Sequence, residues 1–286
     1  MIKPMSKKRR MIMLGALIVI FFAIGPILLL MASGYSFKEI ISLTTANLKG
    51  TGGIYVSDIG SDTVVFLDNK EEGRSSFLER SVLVQQLSPK IHVLKVKKPE
   101  FREWTKKVSV LPKKVTEIHP VLIAEKITYE KINDKDSIKS ISEALSKKTE
   151  ATISTSSGKI IFDNGEIEVK ISSGLVKLKW NNVEQVPQFM CFYEKCDDFL
   201  NISIPEGVVD AEWFKNSFYA MVFVSSKSIY LVELDSREGR MATPVFKASD
   251  FEVNSFTKPE LISWKGKIYL KKGSSFYLLN FDPISV

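Results

Sequence analysis

Apolar side chains occupy the chain without a polar interruption from Met11 to Met31, MIMLGALIVIFFAIGPILLLM, a run of 21 residues. As a helix it would span about 31 Å, the thickness of a bilayer's hydrocarbon core. From Thr51 the period changes to that of short strands: GGIYV (52–56), TVVFLD (63–68), SVLVQQL (81–87), KIHVLKVKK (90–98) and KKVSVL (106–111) alternate or run β-branched. Gly60, Asp68-Asn69, Gly73 and Ser88-Pro89 separate them, and this punctuation predicts a small β-sandwich over 51–124. Residues 125–158 are polar, with Ile138, Ile141, Ala144 and Leu145 at helical spacing behind Asp136. They predict a linker carrying one short helix. From Lys159 to the end at residue 286 another eight to ten strand-like segments follow, the first with Asn164-Gly165 at a hairpin position. The expected fold class is mainly β: an N-terminal transmembrane helix, a small sandwich and a C-terminal β-rich domain.

Charge adds direction to this plan. Lys3, Lys7, Lys8, Arg9 and Arg10 precede the apolar run, whereas Lys38 and Lys49 follow it across the juxtamembrane segment 32–50. The positive-inside bias therefore predicts a cytoplasmic leader (1–10), a membrane span (11–31) and an extracytoplasmic remainder, the lipid bilayer being the first expected partner. A cleaved signal peptide is the rival reading, because Ala32-Ser33-Gly34 supplies small residues after the run. The run is longer than the usual 7 to 15 residues of a signal h-region. Both readings place the rest of the chain at the cell membrane's outer side.

The chain's formal charge is +7, and most of it is local. Residues 90–114 hold nine cations against Glu100 and Glu103. One basic cluster belongs to the topology signal and the other lies outside the cell, so nucleic acid is not an expected partner. Lys95, Lys97, Lys106, Lys107, Lys113 and Lys114 fall on or beside strands. They form a candidate surface for an anionic envelope polymer or envelope protein, or serve only to keep a sheet edge from aggregating. Cys191 and Cys196 stand five apart. In an oxidising compartment a local disulfide across a hairpin loop is expected, the alternative being two half-buried thiols.

The order of features over residues 52–123 resembles the PEGA domain, a short β module of extracytoplasmic bacterial proteins. Gly52-Gly53-Ile54-Tyr55-Val56 opens it, TVVFLDNKEEGRSS matches a strand and Asp-led turn, and LSPKIHVLKVKKPEFREW matches the family's Leu-x-Pro turn, strand and aromatic pair, here Phe101 and Trp104. Gly60-Ser61-Asp62-Thr63 replaces the Pro-Glu-Gly-Ala tetrapeptide, and Lys90 stands at the turn glycine. The resemblance implies a structural or binding module without catalytic residues. Further on, WFKNSFYAMVFVSSKSIYLVELDSR resembles the strand-turn-strand core of WD40-like or TolB-like propeller blades. Two to three such blades fit the length, which implies a partial propeller, free-standing or completed by a partner.

Chemistry is sparse. His92 and His119 have no metal-ligand spacing, and no phosphate-binding loop, dinucleotide fingerprint or nucleophile elbow occurs. Glu71-Glu72 and Asp197-Asp198 read as solvated turn charges, Asp58, Asp62 and Asp68 lack a calcium-loop register, and Trp180, Trp213 and Trp264 read as core. No cofactor and no metal is expected. The expected function is that of a non-enzymatic, single-pass, membrane-anchored extracytoplasmic protein. Its PEGA-like module would contact the envelope and its C-terminal domain would bind a protein or glycan. The alternatives are a cell-wall-acting hydrolase with carboxylates drawn from separate loops, or a subunit of an envelope complex.

Overall fold

The computed structural model describes residues 7–32 and 50–283, apart from Val183, Gln185, Tyr193, Glu194, Asn216, Arg240 and Met241. The first six residues of the leader, most of the juxtamembrane segment including Lys38 and Lys49, and the last three residues lie outside that range. Helix α1, Lys7–Ala32, takes in the four cations Lys7 to Arg10 and then the apolar run, with Pro26 inside it. It is apolar all round and long enough to cross a membrane.

The first domain is a two-sheet sandwich. Its strands are β1 Gly52–Val56, β2 Val64–Leu67, β3 Lys70–Arg74, β4 Val82–Leu87, β5 Ile91–Lys97, β6 Trp104–Ser109 and β7 Val115–Ile118. One sheet has the order β4-β1-β7, the other β3-β2-β5-β6. All pairs are antiparallel except β1 with β7. Period-two alternation sends Ile54, Val56, Val65, Leu94, Val96 and Val108 into one core between the sheets. The opening Gly52 has a steric reason, since a Cβ there would stand 2.3 Å from the Leu111 carbonyl oxygen.

The second domain begins earlier than the polarity of 125–158 predicts. Strand β8 Thr128–Lys131, helix α2 Lys135–Ala151 and strand β9 Ile153–Thr155 all lie in that segment, so it is built into the domain and is not a linker. Strands β10 Gly158–Asp163, β11 Ile167–Ser172, β12 Leu175–Trp180, β13 Cys191–Phe192, β14 Lys195–Cys196 and β15 Phe199–Ile202 come next. They are followed by β16 Asp210–Trp213, β17 Ala220–Val224, β18 Ser228–Glu233, β19 Ala242–Lys247, β20 Glu260–Trp264, β21 Lys267–Lys272 and β22 Ser275–Asn280.

Three larger antiparallel sheets result, ordered β15-β12-β11-β10-β9, β16-β17-β18-β19 and β20-β21-β22-β8, beside the two-stranded β13-β14 ladder. The third is completed by the earliest strand of the domain, which pairs Tyr277 with Lys131 and Asn280 with Thr128. The middle sheet is covered on both faces: Met221 and Phe223 join one core with the first sheet, while Ala220, Val222 and Val224 join another with the third. That is why AMVFV reads as an unbroken apolar run without alternation.

Helix α2 covers the third sheet's other face with Ile141 and Leu145, against Ile262, Tyr269 and Phe276. Asp134 caps the helix, accepting from Ser137 N at 2.8 Å, so the cap stands two residues before Asp136. Near the helix's C-terminal end Lys148 reaches between the sheets. Its Nζ donates to Leu261 O (2.7 Å), Ala211 O (3.1 Å) and Glu212 Oε2 (3.1 Å) and pairs with Asp210 Oδ2 (3.4 Å). Burial lowers the Lys148 pKa, but the Asp210 and Glu212 charges outweigh it and hold the group above its ordinary value.

Lys148→Met is therefore expected to destabilise the second domain by about 3 kcal/mol, because it removes the buried cation from Asp210 and Glu212 and leaves only the half-exposed Lys159, 3.8 Å from Asp210 Oδ1. Adding Asp210→Asn and Glu212→Gln should recover part of the loss. Thermal unfolding of the detergent-solubilised chain measures it, and an unchanged midpoint for Lys148→Met would contradict the role of this lysine as a hub.

Candidate functional site at the domain junction

Sheet edges β6 and β7 carry the second domain. On β6 the inward positions are Trp104, Lys106 and Val108. The core accepts Val108, while Trp104 and Lys106 reach across to β18 and the turn after it. Trp104 Nε1 donates to Glu233 Oε1, and Lys106 Nζ donates to Asp235 O at 2.6 Å. The Lys106 amino group lies 3.9 Å from Glu233 Oε2 and 3.6 Å from Asp235 Oδ2. Arg237 grips Asp235 with Nε (3.0 Å) and Nη2 (2.8 Å), and donates to Glu117 O on β7 at 2.6 Å.

Electrostatics sort these groups. Burial pushes Glu233 up to about 7 against the pull of the Trp104 hydrogen bond and Lys106. Burial also pulls the Lys106 pKa down, opposed by Asp235 and Glu233. At Asp235 burial acts upward, yet the Arg237 hydrogen bond and charge and Lys106 outweigh it and leave the pKa lowered. Two neighbouring carboxylates with pKa values driven apart are what acid–base hydrolysis uses. Here both are engaged in joining the domains, and the cavity that Glu233 lines with Trp104, Val121 and Leu231 measures about 140 Å³.

A larger cleft of about 480 Å³ opens beside this joint. The sandwich contributes Asp58 and Gly60 after β1, Lys98 and Phe101 after β5, and His119 after β7; the second domain contributes the β16–β17 hairpin and Asp282. His119 stacks on Tyr219 with ring centroids 3.5 Å apart and planes at 12°. Its Nδ1 lies 2.9 Å from Ser57 Oγ and 3.1 Å from Asp58 Oδ2, and its Nε2 lies 3.1 Å from Glu117 Oε1. Burial, with Glu117 and Asp58 nearby, raises the Tyr219 hydroxyl's pKa.

Phe218 is 45% exposed at the rim, edge-on to Trp213, and Phe101 lies under the Lys98 ammonium at 4.9 Å. Gly60, at φ +69°, adopts the left-handed region, and a Cβ there would meet Lys98 Nζ at 2.7 Å. The arrangement is an aromatic floor with carboxylates and lysines at its edges, suited to holding a ring-shaped or hydroxyl-rich group.

Of the residues named from the sequence, Asp58, Phe101 and His119 line this cleft, whereas the candidate lysines and cysteines do not. Lys106 is buried in the joint, so it is removed from the basic surface: adjacent residues of a strand face opposite ways, and only Lys107 points outward beside Lys95 and Lys97. Lys95 and Lys97 share Glu103, at 3.3 and 2.9 Å. Lys113 and Lys114 sit, exposed, in the β6–β7 turn at the far end of the sandwich. Cys191 and Cys196 are bonded to each other across the β13–β14 ladder.

His92 is a core residue that ties two turns together through Asp68 Oδ2 (2.8 Å) and Ser88 O (2.9 Å). Trp180 and Trp213 lie in the core between the first two sheets, and Trp264 packs beside α2. Among the described residues no group of three or more His, Cys, Asp or Glu side chains is placed to hold a metal ion. Sequence reading missed Tyr219, Phe218 and Glu233. The usable signal was Glu233 closing the otherwise apolar SIYLV strand, with Asp235 and Arg237 just after it.

No protein-family model matches this chain, and neither does any curated protein sequence. The PEGA-like and blade-like resemblances stand on the residues that carry them.

The raised Glu233 pKa has a definite sign. Between its ordinary 4.5 and about 7 the folded protein holds a proton that the unfolded chain releases, so this contribution to stability is full below 4.5 and is lost as pH rises through 7. The loss should reach about 3 kcal/mol for a shift of this size. Glu233→Gln, which keeps an acceptor for Trp104, should flatten the slope of unfolding free energy between pH 5 and 8, measured by urea denaturation. An unaltered slope would show that the joint does not titrate there.

Proposed function

We propose that this chain is a single-pass membrane-anchored binding protein, N-terminus inward, whose two extracytoplasmic β domains act as one rigid body and take their ligand in the junction cleft. The observation that carries this reading is the cleft itself. Its walls come from both domains, and the buried Lys106–Glu233–Asp235–Arg237 joint fixes them against each other. Support for the anchor comes from α1 and the cations at its start.

In this reading the PEGA-like sandwich is the envelope-contacting stalk and the second domain the recognition module, with a glycan or a peptide segment as the bound group. The aromatic floor of His119 and Tyr219 with Phe218 at the rim favours a sugar ring, whose C–H face lies on aromatic faces while its hydroxyls reach Asp58 and Asp282. The outer face of the β3-β2-β5-β6 sheet is a weaker candidate, since Glu103 already engages Lys95 and Lys97.

Fluorescent oligosaccharides released from purified envelope, titrated against the detergent-solubilised chain, should bind saturably. Phe218→Ala should weaken that binding about fivefold, the ~1 kcal/mol of one aromatic contact, while Lys95→Gln with Lys97→Gln should leave it unchanged. The reverse pattern would move the site to the basic face. Failure of externally added protease to reach the second domain in intact cells would overturn the topology.

A further inference from the structure

The turn between β3 and β4 presents, among the described residues outside α1, the two most exposed large apolar side chains, Phe77 at 77% and Leu78 at 93%. They stand side by side at the central positions of a tight turn, where small polar residues are usual. The turn is held in shape: Ser76 N donates to Glu79 O at 2.8 Å, and Glu79 N to Ser76 Oγ at 3.1 Å. Its two ends are pinned to the sandwich by Ser75 N to Thr63 O at 2.8 Å and Ile59 N to Arg80 O at 3.2 Å. Arg74 and Arg80 flank the tip and are exposed, with Glu79 between them.

We propose that this turn is a membrane-docking tip: Phe77 and Leu78 enter the bilayer leaflet facing the sandwich, and Arg74 and Arg80 meet its phosphate groups. The proposal rests on the anchored reading above, because α1 is what keeps a bilayer within reach. Seventeen residues separate Ala32 from Gly50, a contour of ~56 Å. The tip and Gly50 lie beyond opposite ends of β1, roughly 20–30 Å apart at strand rise, so the tether spans that distance with length to spare.

Topology also favours this occupant. The tip leaves from the β3/β4 edge, whereas the second domain is attached to the β6/β7 edge. The joint to the second domain and the tip therefore lie at opposite sheet edges of the sandwich, which leaves Phe77 and Leu78 uncovered. Tethering raises the effective concentration of the membrane at the tip, and two cations near the headgroups add to the apolar attraction.

The test uses the full chain in vesicles of phosphatidylethanolamine and phosphatidylglycerol, with a nitroxide label at Leu78→Cys; the two native cysteines are bonded to each other. Labels at Phe22→Cys in α1 and at Asn164→Cys in the second domain's first hairpin mark lipid and water. Position 78 should be shielded from a water-soluble nickel chelate and open to oxygen, as position 22 is, and Phe77→Ser should restore its access to the chelate. Access at position 78 equal to that at 164, with position 22 shielded, would overturn the tip while leaving the anchor intact. Chelate access at position 22 itself would overturn the anchored reading and the tip with it.

Discussion

Lys106 places an ammonium where burial lowers its pKa, and what surrounds it determines how the two domains can sit. Two carboxylates, one main-chain carbonyl and the Arg237 guanidinium on Asp235 form a set in which each charge needs the others. Such a network adds little net stability compared with an apolar substitute, but breaking it is costly, so it specifies a geometry more than it strengthens one. Any sliding of the second domain along β6 would leave Lys106 facing Glu233 and Asp235 at the wrong distance. The junction cleft inherits that rigidity, because Asp58, Phe101 and His119 come from one side of the joint and Phe218, Tyr219 and Asp282 from the other.

The second domain uses the same device. Three stacked antiparallel sheets leave their early strands near one another, and there Lys148 gathers carbonyl and carboxylate oxygens from β16 and β20. Helix α2 supplies that lysine while its apolar face seals the third sheet. The helix also touches β10 on the first sheet, so the stack is closed by a helix drawn from its own chain. A partner that completes a partial propeller is not required to cover that face.

Much of the fold was legible because burial on one face writes itself into alternation. Five of the seven sandwich strands, β1, β2, β4, β5 and β6, the Asn164-Gly165 hairpin and the helix around Ile141 and Leu145 follow from period and turn chemistry alone, whereas the polar β3 and the short β7 do not. Polarity misled where a segment is covered on one face only: β8 and β9 have few apolar residues, yet they pair with β22 and β10 through main-chain bonds that carry no side-chain signature. The site was less legible still. Lys106 and Lys107 look alike in a sequence, and only the register of β6 sends one into a joint and the other into solvent. His119, Ser57 and Glu117 meet because β1 and β7 run parallel side by side, a pairing between strands some sixty residues apart that local pattern does not encode.

Parallel pairing of β1 with β7 has a further consequence for the proposed arrangement at the membrane. Both strands finish at the same end of the sandwich, so the Ser57–Gly60 loop and His119 lie together there, and the antiparallel β4 starts at that end directly after the Phe77–Leu78 turn. Cleft and tip thus share one end of the sandwich, where the Asp58–Gly60 loop that lines the cleft meets the base of the tip through Ile59 N to Arg80 O at 3.2 Å. If the tip docks, the cleft opens close above the headgroups. A glycan or peptide reaching the cleft would then be one held near the membrane surface, and the anchor would select its ligand by height above the bilayer as well as by the chemistry of the aromatic floor.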